Sequence, residues 1–450
     1  MEERGTDTSP APGGGEAMAT KLQRLADKAR SDPKLKFTSV YHLLNEELLR
    51  GCFERLRRDA AAGIDQMTKD EYAQGLPERL AALARRLQQL GWRPQPVRRV
   101  YIPKPGGDKQ RPLGIPCLED KLVQSALARI LEQVYEQDFV EDSYGFRPGR
   151  GCHDALRALN RTVASGRVNW IVEADIKGFF DHVDHDWLMK FLGHRIGDPR
   201  MHRLVRRLLK AGIMEQGQLQ ESETGVPQGG SVSPLMGNVY LHYALDLWFE
   251  RRFGPGCGGE HRLIRYADDF VACFEREADA VRFREELGLR LAQFGLEVEA
   301  SKTKVLAFGP QAEQEARRQG QNKPETFDFL GLTHYCTHWP GSARFRLGRV
   351  TARKKFRAKL AELKQWLRKS RTRPTRELWA TFCAKLRGHF AYYGVTGNCQ
   401  GIGRFAQEAK ELLYKWLNRR GGRRRLSWEK LNLMNRRFPL PRPLVRVSLV

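Results

Sequence analysis

Asp268 and Asp269 stand side by side between two largely apolar runs, Arg262-Leu-Ile-Arg265 and Phe270-Val-Ala-Cys-Phe274. The pattern predicts a strand, a tight turn and a second strand, with the acids at the bend. Adjacent carboxylates repel each other and resist desolvation, and a hard divalent cation with oxygen ligands relieves both effects. Taken alone, the pair reads as a solvated turn. Asp175 adds a third acid, near the end of the predicted strand Asn169–Ile176. Alternation places Trp170, Val172, Ala174 and Ile176 on one face and Ile171, Glu173 and Asp175 on the other. Alone, Asp175 is an exposed strand-end acid. If that strand lies beside the hairpin, the three carboxylates meet. Such a set can hold two metal ions roughly 3.5–4 Å apart, which activate an attacking hydroxyl and stabilise a leaving pyrophosphate.

Other residues suit the same chemistry. Lys104 and Arg111 flank a Gly-rich turn and could clamp a triphosphate, one as a point charge and one as a fork; a solvated hairpin tip fits as well. No G-x-x-x-x-G-K-[ST] run exists, so a P-loop is not the phosphate device. Gly225 to Pro234 is a Gly/Pro loop that allows close backbone approach and carries Gln228, a donor and acceptor for a base edge or sugar; a structural loop fits the same residues. Phe179 and Phe180 follow Asp175. A ring beside a metal site can exclude a 2′-hydroxyl, whereas two core aromatics are the plain alternative. Arg353, Lys354, Lys355, Arg357, Arg423, Arg424 and Arg425 form basic clusters near the C-terminus. The interleaved Trp366, Trp379, Tyr392, Tyr393, Trp416 and Trp428 read as core packing and the cations as RNA contacts.

The elements that must position these groups form a mixed α+β order without βαβα regularity. Helical spacing runs through Lys21–Leu90, interrupted at Gly63–Thr68. Short strands are predicted at Val100–Ile102, Arg111–Ile115, Asn169–Ile176, Leu296–Val298, Val305–Phe308 and Phe327–Thr333. Helices are predicted at Leu122–Val134, His185–Met214, Pro234–Phe249 and Ala278–Phe294. Beyond about Arg346 the chain reads as all helix, with apolar stripes Phe356/Leu360/Leu363/Leu367, Leu378/Phe382/Leu386/Phe390/Tyr393 and Phe405/Leu412/Leu413/Trp416. The net charge is +25, and residues 351–450 hold 26 Lys/Arg against 5 Asp/Glu. The basic surplus therefore lies mostly in the helical C-terminal region and points to a polyanionic partner. The eight cysteines form no C-x-x-C pair and suit reduced thiols in a cytoplasm. No apolar run approaches the ~20 residues of a membrane span. The polar, Gly-rich residues 1–20 read as a disordered tail.

These blocks, in this order, make the chain resemble bacterial group II intron-encoded reverse transcriptases, the intron maturases. The resemblance rests on Gly63–Thr68, Tyr101–Gly107 with Arg111–Pro116, Ser143–Arg150 with His153, and Ala174–Asp181. It continues through Gly225–Gly230, Arg265–Phe270, Ser301–Lys304, Phe327–Gly331 and Leu386–Tyr393. It implies a right-hand polymerase: an N-terminal helical extension over 21–96, fingers and palm over 97–335, and a helical thumb or maturase region over 345–450. Asp175, Asp268 and Asp269 match the metal-binding triad, with the Ile176 carbonyl as an added ligand and two Mg²⁺ as cofactors, Mn²⁺ substituting. Lys104, Arg111 and Gln228 match the dNTP contacts. Phe179 matches the sugar gate, with Phe180 as the alternative one residue on. Leu330 and Gly331 match the primer grip.

The implied partners are group II intron RNA, an RNA template with a DNA primer, a DNA target and dNTPs, with no membrane and with room for a homodimer. Many relatives carry a C-terminal His-Asn-His endonuclease; this sequence reaches Val450 without its cysteines, and none is expected. The expected activity is RNA-directed DNA polymerisation with support of intron splicing and retrohoming. A domesticated enzyme of repair or phage defence would carry the same polymerase residues, whereas a splicing cofactor that does not polymerise would have no need of Asp175, Asp268 and Asp269.

Overall fold

Apolar residues switch repeatedly between helical spacing and two-residue alternation, and the backbone follows them. The computed structural model describes residues 14–103, 110–215, 218–220, 224–226, 229–318, 320–420 and 426–449. Lys104, Gln228, Arg423, Arg424 and Arg425 lie outside these residues, and Arg111 is described in its backbone only.

The chain opens with α1 (Gly14–Ser31), α2 (Glu46–Arg55), α3 (Lys69–Ala73) and α4 (Leu76–Gln88). The start of α1 corrects the expectation of a disordered tail to residue 20: residues 14–20 are helical, and Met18 and Leu22 are buried in the core. The Asn45 side chain accepts the Leu48 N–H to start α2, and a Thr68/Glu71 capping box starts α3. Strands β1 (Val97–Pro103) and β2 (Gln110–Ile115) pair as an antiparallel hairpin, with Ile102 opposite Arg111. Then come α5 (Leu118–Tyr135), α6 (Cys152–Ala164), β3 (Trp170–Asp175), α7 (His185–Arg195) and α8 (Pro199–Leu209). One helix was expected over His185–Met214. It is broken at Ile196–Asp198, where the Asp198 side chain caps α8 and Pro199 takes its first position.

Short β4 (Ile213–Glu215) and β5 (Gln218–Gln220) join the first hairpin in the order β2-β1-β4-β5. Next is α9 (Ser233–Leu241), prolonged by wider π-type turns at His242–Asp246 and Phe249–Phe253. β6 (His261–Tyr266), β7 (Asp269–Phe274), α10 (Glu277–Ala292), β8 (Lys304–Ala307) and α11 (Ala312–Arg318) follow. The strand expected at Leu296–Val298 reduces to one bridge, Val298 to Ile176. A third sheet, β11-β10-β9, holds β9 (Phe327–Phe329), β10 (Leu332–His338) and β11 (Phe345–Thr351). β11 corrects the reading of residues beyond Arg346 as all helix: seven of its residues pair with β10. Helices α12 (Arg353–Ser370), α13 (Thr375–Tyr393), α14 (Cys399–Leu417) and α15 (Trp428–Arg437) complete the chain.

The central sheet runs β6-β7-β3-β8, with every neighbour antiparallel. It separates two cores. Val172, Ala174, Ile176, Phe270 and Phe274 face α5, α7, α9 and α10. Ile171, Ile264, Val271, Cys273 and Leu306 face α6, the third sheet and the C-terminal helices. The face expected to be polar is therefore also covered along most of its length, because a second layer packs on it. At the end that bears the acids, Asp269 is exposed and Asp175 half-buried. Of the three predicted C-terminal stripes, Leu360 and Leu412 are half-buried and the other members are buried. Among the described residues no helix is long and apolar enough to cross a membrane.

Candidate active site

Asp175 on β3 and Asp269 on β7 are directly opposite each other in the antiparallel ladder. Cross-strand partners project from the same face, so the two carboxyls share one surface. Tyr266 pairs with Asp269 across the β6–β7 hairpin, which leaves Ala267 and Asp268 as a two-residue turn. Asp175 and the Asp268–Asp269 pair, remote in sequence, thus meet at one sheet end. The turn is strained: Ala267 has φ +57, a left-handed conformation that costs a residue with a Cβ roughly 1–2 kcal/mol.

A buried polar network holds that turn. The Arg265 side chain is 1% exposed and donates to both carboxylate oxygens of Asp246, at 2.7 and 2.5 Å. It also donates to Asn238 Oδ1 at 3.0 Å and to the Ala267 carbonyl at 2.9 Å. Asn238 Nδ2 in turn donates to the Gly145 carbonyl at 2.7 Å. A Cβ on Gly145 would lie 2.3 Å from the Ala267 nitrogen, so only glycine lets this loop close on the turn. The π-type turns after α9 bring Asp246 into this position, and such bulges recur where a helix re-aims functional side chains. These anchors did not stand out in the sequence; a charged residue inside the apolar run Leu263–Tyr266 was the available signal.

Charge at the sheet end is predominantly negative. Asp269 opens to solvent along the cleft yet has protein packed closely around it. That desolvation, with the charges of Asp268, Asp175 and Glu173, pushes its pKa up to about 7, against the hydrogen bond from the Leu330 main chain. Glu173, two residues before Asp175, is pushed to about 7, chiefly by burial. The Lys302 ammonium forms an ion pair with Asp175, a positive charge set against a carboxylate of the cluster. Neither Glu173 nor Lys302 was singled out from sequence as a site residue. Among the described residues no group of three His, Cys, Asp or Glu closes into a metal cage. An open set of carboxylates still fits Mg²⁺, which is bound through one or two carboxylates plus substrate phosphates rather than by an all-protein cage. Ile176 lies one residue beyond Asp175. Its bridge to Val298 is made by the flanking bonds Glu299 N–H to Asp175 (2.8 Å) and Lys177 N–H to Glu297 (2.9 Å), so its own carbonyl takes no part.

The other expected residues separate into groups. Phe179 is 2% exposed and packs edge-on against Tyr240 and Phe180, so its ring has no face for a ligand. Phe180, the other ring offered for the gate, is half-buried. The described residues on either side of Gln228 are tied down. Val226 N–H bonds the Phe180 carbonyl at 2.8 Å, and Gly229 (φ +116) approaches Gly114 of β2 so closely that a Cβ would lie 2.6 Å from its oxygen. The β1–β2 hairpin with Arg111 is thereby linked to the Phe180 segment. Leu330 and Gly331 form the β9–β10 turn with φ +51 and +75. Arg353, Lys354, Lys355 and Arg357 are all exposed in the first turns of α12, where cations oppose the helix dipole. Of the C-terminal aromatics, Trp379, Tyr393 and Trp416 are buried, while Trp428 is 41% exposed and stacks on Tyr414.

Residues 102–334 match the family described as reverse transcriptase (RNA-dependent DNA polymerase), just over half the chain. The chain belongs to the reverse transcriptase family. The match runs from β1 to β10, so this reverse transcriptase region includes the whole carboxylate sheet and stops before β11 and the C-terminal helices. Among similar proteins, the group II intron-encoded protein LtrA of Lactococcus lactis subsp. cremoris is 39% identical over 225 residues, covering 49% of this chain and 37% of LtrA. Protein YkfC of Escherichia coli K12 is 32% identical over 322 residues, covering 64% of this chain and 84% of YkfC. The nuclear intron maturase 1, mitochondrial, of Arabidopsis thaliana is 34% identical over 95 residues, 21% of this chain and 13% of that protein. This reverse transcriptase chain thus spans little more than a third of LtrA's length.

Proposed function

We propose that the chain is an RNA-directed DNA polymerase that extends a primer 3′-hydroxyl with dNTPs on an RNA template. We further propose that it binds group II intron RNA through its basic C-terminal region to assist splicing and retrohoming. The observation that carries the polymerase reading is the cross-strand pair Asp175–Asp269 with Asp268 in the adjoining turn.

On this reading β1 to β10 supply fingers and palm, and α12 to α15 the thumb and maturase region. Asp175, Asp268 and Asp269, with the Ile176 carbonyl, hold two Mg²⁺. When bound, the ions supply Lewis-acid activation of the hydroxyl and charge stabilisation of the departing pyrophosphate. Lys104 and Arg111 clamp the triphosphate, and Gln228 orients the nucleotide. Phe180 closes the space a 2′-hydroxyl would need. Leu330 and Gly331 hold the primer end against the carboxylates. The basic start of α12 adjoins this turn, because Lys355 packs near Gly331, and it receives RNA phosphates. A cytoplasmic setting accords with eight unpaired thiols.

Replacing Asp268 with Ala tests the polymerase reading. Primer extension on an RNA template is expected to be lost while intron RNA binding stays within about twofold. Extension at the parent rate would overturn the assignment of the carboxylates.

A further inference from the structure

Lys302 donates to Oδ2 of Asp175, so an ammonium already holds one oxygen of a carboxylate assigned above to metal. Two features set this pair apart from an ordinary surface ion pair: its backbone is fixed and its side chain is not.

The backbone of Lys302 is registered to the strand that bears Asp175. A 3₁₀ turn, Ala300–Lys302, leads into β8. Before it, Glu299 N–H bonds the Asp175 carbonyl at 2.8 Å. The Glu299 carbonyl then accepts Lys302 N–H at 3.0 Å and the Thr303 hydroxyl at 3.0 Å. The Ser301 hydroxyl donates to the Glu299 carboxylate at 2.9 Å. After the turn, β8 pairs with β3 and sets Lys304 opposite Glu173. Both ends of the short segment 299–304 are thus tied to β3.

The side chain, in contrast, can leave. It is 63% exposed, and that of Asp175 is 40% exposed. An ammonium is a compact, strongly hydrated charge on a flexible four-carbon stem. It can therefore swing into water without stranding a charge in the interior, and the fixed backbone returns it to the same carboxylate.

Local charge gives this mobility a purpose. Asp269 carries the repulsion of Asp268, Asp175 and Glu173. Lys302 offsets one of these charges. A divalent cation would offset more, but it repels an ammonium that seeks the same carboxylate.

We propose that Lys302 is a positioning residue, an internal counterion that occupies Asp175 while no divalent cation is bound and is displaced when one binds. It steadies the carboxylates of the free protein and, by competing for Asp175, weakens their affinity for metal. The inference rests on the metal reading of Asp175, Asp268 and Asp269 given above.

Mn²⁺ serves as the probe, with the full chain and without nucleotide or nucleic acid. Free Mn²⁺ is counted by electron paramagnetic resonance, and the share of binding that Asp269→Asn removes defines this site. Lys302→Met is expected to raise the affinity of that site about threefold, the modest change that so exposed a pair permits. Lys302→Arg keeps the charge and is expected to restore the parent affinity. Lys323→Met removes an exposed ammonium from another loop and is expected to change nothing. In EDTA the thermal midpoint of Lys302→Met is expected below that of the parent, and saturating Mn²⁺ is expected to close the gap. Equal affinity in parent and Lys302→Met would overturn the proposal and leave the metal reading intact. Weaker binding by the variant would overturn it too, since the ammonium would then assist the ion. A parent with no Asp269-dependent Mn²⁺ site would overturn the metal reading, and this inference with it.

Discussion

The hydroxyl of Tyr392 on α13 donates a hydrogen bond to the carbonyl of Leu330 at 2.9 Å. The main chain of the same Leu330 hydrogen-bonds the Asp269 carboxyl. One turn residue therefore stands between the C-terminal helices and the carboxylate sheet. Tyr392 is itself held from the other side, because His153 Nε2 of α6 lies 2.9 Å from its carbonyl. Replacing Tyr392 with Phe leaves the ring in place and the Leu330 carbonyl without this donor, a loss on the order of 1 kcal/mol. A thermal midpoint a few degrees lower and primer extension about fivefold slower are expected. An unchanged rate would show that the helices do not set the geometry of the turn.

Arg265 and Asp246 are each 1% exposed, so neither can recruit water if the other is removed. Arg265→Met strands a buried carboxylate and is expected to destabilise the fold by about 3–5 kcal/mol. The Ala267–Asp268 turn loses its anchor with it. Denaturant unfolding reads the stability. Paired replacement of Arg265 and Asp246 by apolar residues is expected to recover much of it, but not the extension activity.

The gate can be separated from the core by two neighbours. Phe180→Ala is expected to admit ribonucleotides with little change in stability. Phe179→Ala empties a buried site and is expected to cost about 3–5 kcal/mol. Incorporation ratios for dNTPs and rNTPs, measured with unfolding curves, check both; the reverse outcome would return the gate to Phe179.

Because the Asp269 pKa is raised to about 7, the carboxyl is substantially protonated at neutral pH without a metal. Binding of a divalent cation requires the ionised form and releases the proton. Mg²⁺ affinity is therefore expected to fall as pH drops from 8 to 6, with up to one proton released per binding event. Calorimetry in buffers of different ionisation enthalpy checks the count, and Asp269→Asn is expected to abolish the proton release from this group.

Three buried histidines make the fold acid-sensitive. Burial lowers the pKa of His334 to about 3 and of His242 and His389 to about 4. The unfolded chain binds these protons more readily, near pH 6.5, so the histidine contribution is present above that pH and is lost as pH falls toward 4. The raised carboxyls of Asp120 and Asp138, to about 7 and about 6, act in the opposite sense, because protonation on acidification favours the fold. The histidine effect is therefore read as a difference. His389→Phe, a ring for a ring stacked 3.5 Å from Phe405, is expected to flatten the loss of stability between pH 6.5 and 4.5.

The sequence by itself determined the local elements and the identity of the acids. Asp268 and Asp269 lie at a hairpin bend because two apolar runs flank them, and Asp175 ends a strand for the same reason. The stripes of α12, α13 and α14 are legible because burial of one helix face imposes a fixed spacing. The tertiary structure decided what spacing cannot encode. Strand register set Asp175 opposite Asp269, and a second packed layer buried Ile171 on the face expected to be polar. Packing against Tyr240 turned Phe179 inward and left Phe180 half-exposed. Arg265, Asp246 and Asn238 became one network although 27 residues separate the first from the last. Lys36, Arg93 and the cations of α8 come together only because the Phe37–Ile196 bridge and the Arg207 side chain tie three remote segments to one another. Periodicity reports which side of an element is buried. Which partner buries it, and which charges are left facing each other, depends on contacts between residues far apart in the chain.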